Sequence, residues 1–211
     1  MIDSKKFWDK CAKKYTKTVI KDQVTYQKKL AITQQYLSKN SEVLEFGCGS
    51  GGTAIIHAPF VKQIVATDIS EKMIKIAKTK ANKCNINNII FQQSTLDNLV
   101  VQERHYDVVL GLNILHLLED VDRSINHVYK LLKSNAIFIS STSLVGEVNV
   151  IFRWLIVIMQ FLGLAPYVDF LTKKQLTDKL IKAGFSIELE WQSSHESIFI
   201  IARKQSSNTI E

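Results

Sequence analysis

Short apolar runs alternate with segments of helical period along most of the chain. Runs at 42–46, 62–67, 89–93, 106–111 and 136–141 have strand length and strand composition. Between them, 51–59, 71–82 and 121–132 place apolar residues at helical spacing. Ser70 offers an N-cap with Glu71 in the first turn, and Asn85, Asn87, Asn88 and Ser134-Asn135 mark turns. Strand–helix alternation of this kind predicts an α/β fold, a parallel sheet covered on both faces. Two helices, 4–20 and 22–38, precede the sheet. A helix capped by Thr172 runs to Ala183, stops at Gly184, and leads to a closing antiparallel pair at 185–192 and 197–203. Residues from Lys204 to the end are expected to fray.

One segment breaks the pattern. Residues 147–165 form an apolar insertion whose helix is expected over 148–164. On a helical wheel Asn149, Arg153 and Gln160 fall within about 40° of one another. Apart from Ile156 beside them, the rest of the circumference is apolar throughout. A core-facing helix needs only about 100° of apolar surface. The surplus calls for a lipophilic substrate, a membrane surface, a second subunit, or burial inside the chain. Arg153 and Asn149 leave too short a clean run for a membrane span, which needs about 20 residues.

Composition adds a few limits. The chain has 211 residues, 46% hydrophobic and 22% charged, which suits one domain, 1–211. Its parts are expected to be an N-terminal helical cap at 1–40, a core at 41–142, the insertion at 143–171, and a last helix with strand pair at 172–204. Net charge is +7, and ten lysines against three aspartates in residues 1–40 supply all of it. Lys6, Lys10, Lys13, Lys14, Lys17 and Lys21 recur along one side of the first helix, with Phe7, Trp8, Cys11, Ala12, Tyr15 and Val19 opposite. Cys11, Cys48 and Cys84 are odd in number and widely spaced, so neither a disulfide framework nor a zinc site is expected. The N-terminus lacks the apolar core of a signal peptide. A cytoplasmic setting is expected, with membrane contact at most peripheral.

The most specific chemistry lies at 43–53. Val43-Leu44-Glu45-Phe46 leads into Gly47, Gly49, Gly51 and Gly52, a strand ending in a turn that opens a helix. That geometry brings backbone N–H groups close to a ligand. Asp68 ends the next strand, twenty-one residues after Gly47, where a carboxylate can accept both hydroxyls of a ribose. A nucleoside-bearing cofactor is therefore expected. Gly47-x-Gly49-x-x-Gly52 also satisfies the dinucleotide fingerprint, so an NAD-dependent oxidoreductase is an alternative. Glu45 disfavours it, because an acid there would face a pyrophosphate yet suits the ammonium of a methionine moiety.

Glu45-Phe46-Gly47-Cys48-Gly49-Ser50-Gly51, Asp68 and the run Tyr106 to His116 resemble the class I S-adenosylmethionine-dependent methyltransferases over about residues 7–204, nearest in look to the ubiquinone/menaquinone-type small-molecule enzymes. The resemblance implies a Rossmann-like doubly wound sheet of strand order 3-2-1-4-5-7-6, capped by the N-terminal helices and the insertion. It implies S-adenosylmethionine as cofactor and S-adenosylhomocysteine as product. Tyr15, Glu45, Gly47, Cys48, Gly49, Gly51, Asp68, Ile69, Met73, Leu112 and Asn113 would then contact the cofactor. Thr95 stands where the family often has an acid for the adenine amine, with Asp97 two positions late; Ser94 or Thr95 would accept from the amine and Leu96 would stack on the ring. His116 follows the fourth strand and is the candidate general base. The exit loop has neither an Asn/Asp-Pro-Pro-aromatic motif nor a Pro-Cys pair, so methylation of a nucleobase exocyclic amine or of cytosine C5 is not expected; the lysine cluster keeps a nucleic-acid acceptor as an alternative to the expected small molecule. The expected acceptor is a small lipophilic molecule methylated at a hydroxyl, amine or activated carbon, by a monomer or homodimer, without a metal. A catalytically silent cofactor-binding or membrane-associated module is the reading outside catalysis. The lysine side and the apolar insertion are expected to form one rim that touches an anionic membrane surface transiently, with Arg153 meeting the headgroups.

Overall fold

In the computed structural model, which describes residues 3–100 and 103–206, the runs expected as strands join one seven-stranded sheet. β1 (Glu42–Phe46) pairs in parallel with β2 (Gln63–Asp68) on one side and β4 (Tyr106–Leu112) on the other. β3 (Ile89–Gln93) flanks β2, and β5 (Leu132–Ser143) flanks β4, also in parallel. β6 (Phe185–Ser194) and β7 (Ser197–Lys204) close the far edge, with β7 antiparallel to both β5 and β6. The order is β3-β2-β1-β4-β5-β7-β6, as expected.

The helices are α1 (Ser4–Lys17), α2 (Gln23–Gln34), α3 (Gly52–His57), α4 (Glu71–Lys83), α5 (Val121–Leu131), α6 (Val150–Phe161) and α7 (Lys173–Lys182). Most start on a side-chain cap: Asp3, Asp22, Ser70, Asp120, Asn149 and Thr172 each accept from a backbone N–H of the first turn. Alternation in the strands sends Leu44, Phe46, Val109 and Phe138 into one core with α5 and α7. Val43, Ile64, Leu110 and Ile139 go into the other with α3 and α4. Burial of each such side chain contributes about 1.5–3 kcal/mol.

Several boundaries differ from the sequence reading. α1 stops at Lys17, because Thr18 turns extended and the β-branched run Thr18–Ile20 suits a helix poorly. Val19 thus leaves the apolar side expected for it and is 75% exposed. α2 ends at Gln34 rather than 38. β5 begins early, at Leu132, and takes a register jump around Asn135, which sits at φ 63°. Lys204 does not fray. It ends β7 buried, and its Nζ donates to the carbonyls of Tyr129 (2.6 Å) and Leu132 (2.8 Å). The rest of the expected frayed tail, from 207, lies outside the described residues.

α6 reverses the expected orientation of its polar stripe. Asn149 is the N-cap, not a member of the stripe. Arg153 turns back to donate to the Gly146 carbonyl, and Gln160 donates to the Pro166 carbonyl. The stripe faces the helix's own chain, so the apolar circumference faces outward. No residue of α6 is buried; Trp154 and Phe161 are 66% and 89% exposed. Among the described residues no helix is long and apolar enough to cross a membrane.

Candidate active site

The site opens where β1, β2 and β4 end. Gly47 takes φ 68°, and a Cβ there would lie 2.6 Å from Ile114, so no other residue fits between the loop and the exit of β4. Gly51 takes φ 75° as the N-cap of α3, with its own Cβ position blocked by Ala77 and Phe91. The chain folds back between them, and the Gly49 N–H donates to Asp68 Oδ2 at 2.8 Å. Asp68 Oδ1 accepts the Ser70 N–H at 2.8 Å. Each oxygen keeps a lone pair for a ligand hydroxyl. Burial raises the Asp68 pKa, with these two hydrogen bonds working against it.

Glu45 lies behind the loop, 3% exposed, and its Oε2 has no hydrogen-bond partner. Burial, then the Asp68 charge, pushes its pKa up to about 8. An orphaned carboxyl that borders a cavity is a site waiting for a donor, and an ammonium supplies both a donor and a counter-charge. This fits a methionine moiety and opposes a pyrophosphate.

α1 roofs the loop. Trp8 and Tyr15 pack edge to face at 5.8 Å. Asp9 pins the helix to the start of α4, its Oδ1 accepting from Ser70 Oγ (2.6 Å) and the Lys72 N–H (3.1 Å). Below this roof two cavities adjoin, of about 150 and 640 Å³. Tyr15, Gly47, Gly49, Leu112 and Asn113 border both. Of the residues expected at the cofactor, Asp68, Ile69, Met73, Ser94, Thr95 and Leu96 line the smaller one. Glu45 and Cys48 line the larger. Thr95 Oγ1 already accepts the Asn98 N–H, at 3.2 Å, as the cap of a short turn. Gly51 and His116 line neither cavity. Gly51 shapes the turn from behind. His116 sits in a 3-10 turn (Leu115–Leu117), its Nδ1 buried without a partner, and burial lowers its pKa to about 4.

The sequence reading missed the far wall of the larger cavity: Tyr26 and Lys29 from α2, Lys80 from α4, and Ser197 at the start of β7. In a segment with ten lysines nothing singled out Lys29, although it shares a face with Tyr26, Leu30 and Thr33. Among the described residues no three His, Cys, Asp or Glu side chains cluster as metal ligands.

A sheet of this order, with a glycine loop after β1 and an acid ending β2, is the class I methyltransferase architecture. The chain belongs to the methyltransferase domain family, whose model matches residues 37–179. It is 28% identical to the uncharacterized methyltransferase YcgJ of Bacillus subtilis over 97 residues, 46% of this chain and 38% of that one. It is 30% identical to the ribosomal protein L11 methyltransferase of Ruminiclostridium cellulolyticum over 112 residues, 52% of this chain and 34% of that one. It is 25% identical to the ubiquinone biosynthesis O-methyltransferase of Bartonella tribocorum over 158 residues, 70% and 61% of the two chains. The match therefore spans well under half the length of the first two relatives. The crystal structure of Bacillus subtilis YcgJ superposes with a TM-score of 0.72 at 15% identity, covering 85% of this chain and 99% of that one, a likeness of fold.

Proposed function

We propose that the chain methylates a small molecule held in the larger cavity, next to a cofactor whose adenosine fills the smaller one. The observation that carries this is the division of one cleft at Tyr15, Gly47 and Asn113 into two unequal parts. A volume of about 640 Å³ falls within the ~300–1,000 Å³ of small-molecule sites and exceeds what a methionyl tail needs.

In this reading Asp68 accepts the ribose hydroxyls, Glu45 the ammonium, and Ile69, Met73 and Leu96 enclose the adenine beside Ser94 and Thr95. Leu112 and Asn113 border the sulfonium. S-adenosylmethionine supplies an activated methyl group. The chain's task is to hold the acceptor in line and keep water out, for which positioning carries most of the rate. In this reading His116 is not assigned as the base. Its ring borders neither cavity, and an imidazole with a pKa near 4 has little affinity for an acceptor's proton. A lipophilic acceptor draws no support from α6, which contributes nothing to either cavity.

Titration calorimetry tests the cofactor assignment. S-adenosylhomocysteine should bind in the micromolar range, about −8 kcal/mol, and NAD should not. Tight NAD binding with indifference to S-adenosylhomocysteine would overturn it. The acceptor can be found with isotopically labelled methyl donor in polar and lipid extracts.

The outward face of α6 favours a reading of where the acceptor is met. Monomeric proteins rarely expose contiguous apolar patches beyond a few hundred Å². Between Val148 and Val168 there is no acidic residue. The segment after α6 is tied to the exit loop of β4 by the Asp169 N–H donating to the His116 carbonyl, and Ser4 and Trp8 of α1 line the smaller cavity together with Leu117 and Leu118 of that loop. Lys6, Lys10, Lys13, Lys14 and Lys17 are exposed on α1. Transient docking on an anionic bilayer, with Trp154 and Phe152 at the interface and the lysines beside the headgroups, suits this combination.

A further inference from the structure

Lys29 and Glu45 both line the larger cavity and do not meet. Glu45 is the buried carboxyl already described. Opposite, Lys29 reaches in from α2, and its Nζ donates to Ser141 Oγ at 2.9 Å. Ser141 is 2% exposed, and its hydroxyl donates onward to Asn113 Oδ1 at 3.4 Å. The chain of groups thus ends at the residue that borders both cavities. Among the described residues no carboxylate lies within ion-pair distance of Lys29. Burial lowers its pKa, with the more distant Asp22 charge opposing. A half-buried ammonium with one hydroxyl for company is costly unless an anion joins it.

We propose that Lys29, anchored by Ser141, binds a carboxylate carried by the acceptor in the larger cavity, an inference that rests on the small-molecule reading above. A monoanion is indicated because there is one cation on this wall, with Glu45 and Asp22 bordering the same space. Lys80, the other cation of the cavity, is bonded to Ser50 Oγ. The competing occupant is the carboxylate of the cofactor's own methionine moiety. Ser141 lies on β5, one strand spacing (about 4.8 Å) beyond β4 and Asn113, on the side away from the adenosine cavity.

Calorimetry on the wild type, Lys29→Met, Lys29→Arg and Ser141→Ala, all checked for unchanged melting temperature, decides the matter. Three probes are used: S-adenosylhomocysteine; 5′-methylthioadenosine, which lacks the amino-acid group; and benzoate, with benzamide as neutral control, on free and S-adenosylhomocysteine-loaded protein. A loss of at least tenfold in S-adenosylhomocysteine affinity in Lys29→Met, with methylthioadenosine unchanged, gives Lys29 to the cofactor's carboxylate and overturns the proposal. Unchanged S-adenosylhomocysteine with loss of benzoate binding supports it and assigns Lys29 to an acidic acceptor. In that case Lys29→Arg should recover most of the benzoate affinity, and Ser141→Ala should lose a few-fold. Lys29→Met indistinguishable from wild type toward both S-adenosylhomocysteine and benzoate overturns the proposal. Indifference of the wild type to both adenosine probes would sink the cofactor reading alone, since benzoate on free protein still reports on Lys29.

Discussion

Replacing Glu45 by Gln should strengthen the fold and weaken cofactor binding together. The carboxyl has a folded pKa of about 8 against an ordinary value of 4.5. An acid whose folded pKa lies above its unfolded one stays protonated in the native chain while the unfolded chain ionises. Native stability is then lost as pH rises from about 4.5 toward 8, and is fully present below that window. At pH 7 the gap is roughly 2.5 units, which at 1.36 kcal/mol per unit is about 3 kcal/mol. Gln keeps the shape and removes the ionisation. Its amide still needs partners, so that figure is a ceiling, equivalent to about 6–12 °C in melting temperature for a chain of this size. Scanning fluorimetry should show Glu45→Gln melting several degrees higher at pH 7, with the difference shrinking below pH 5. Binding should move the other way. Loss of a charge-assisted bond to an ammonium costs about 1.5–3 kcal/mol, or ten- to a hundredfold in S-adenosylhomocysteine affinity. Wild-type binding at pH 7 should also release close to one proton, seen as a dependence of the heat on buffer ionisation enthalpy, and the variant should release none. A variant that binds S-adenosylhomocysteine as tightly as wild type, or melts no higher at pH 7, would refute the argument.

Asp68→Ala should weaken S-adenosylhomocysteine by about 1.5–3 kcal/mol in calorimetry, since charge-assisted bonds to both ribose hydroxyls go. Gly111→Ala should destabilise the fold by about 1–3 kcal/mol in urea unfolding, because its Cβ would lie 2.7 Å from Phe46 Cζ inside the core. His57 is fully buried with both ring nitrogens unpaired, and burial lowers its pKa from 6.5 to about 4. Its depressed pKa makes stability present above pH 6.5 and lost as pH falls toward 4, so at pH 4.5 His57→Leu should gain about 2.5 kcal/mol relative to its effect at pH 7. Vesicle co-sedimentation should need anionic lipid, fall in high salt, and drop when Trp154 and Leu155 are made polar; equal recovery with and without anionic vesicles would leave dimerisation as the better account of α6.

The local part of this protein was legible without a structure. A β1 run, a turn that only glycines can make, and an acid at the end of β2 are set by backbone geometry over some twenty residues, and spacing records that directly. Caps such as Ser70 and Thr172 are local for the same reason. Where a side chain points across the fold is different. The wheel of α6 shows a polar stripe and an apolar remainder, and either face could have turned inward. The partners that decide it are the Gly146 and Pro166 carbonyls, placed by the chain's path at each end of the helix. His116 follows β4 in sequence at the right distance for a base, yet the 3-10 turn buries its Nδ1 and leaves the residue outside the lining of both cavities. Lys29 is one of ten lysines in residues 1–40 until the fold brings it to Ser141 of β5, 112 residues away. Sequence spacing set the floor under the cofactor loop; only the packing of α1 and α2 over that floor decided which side chains reach the second cavity, and only the chain's path around α6 decided which of its faces meets the solvent.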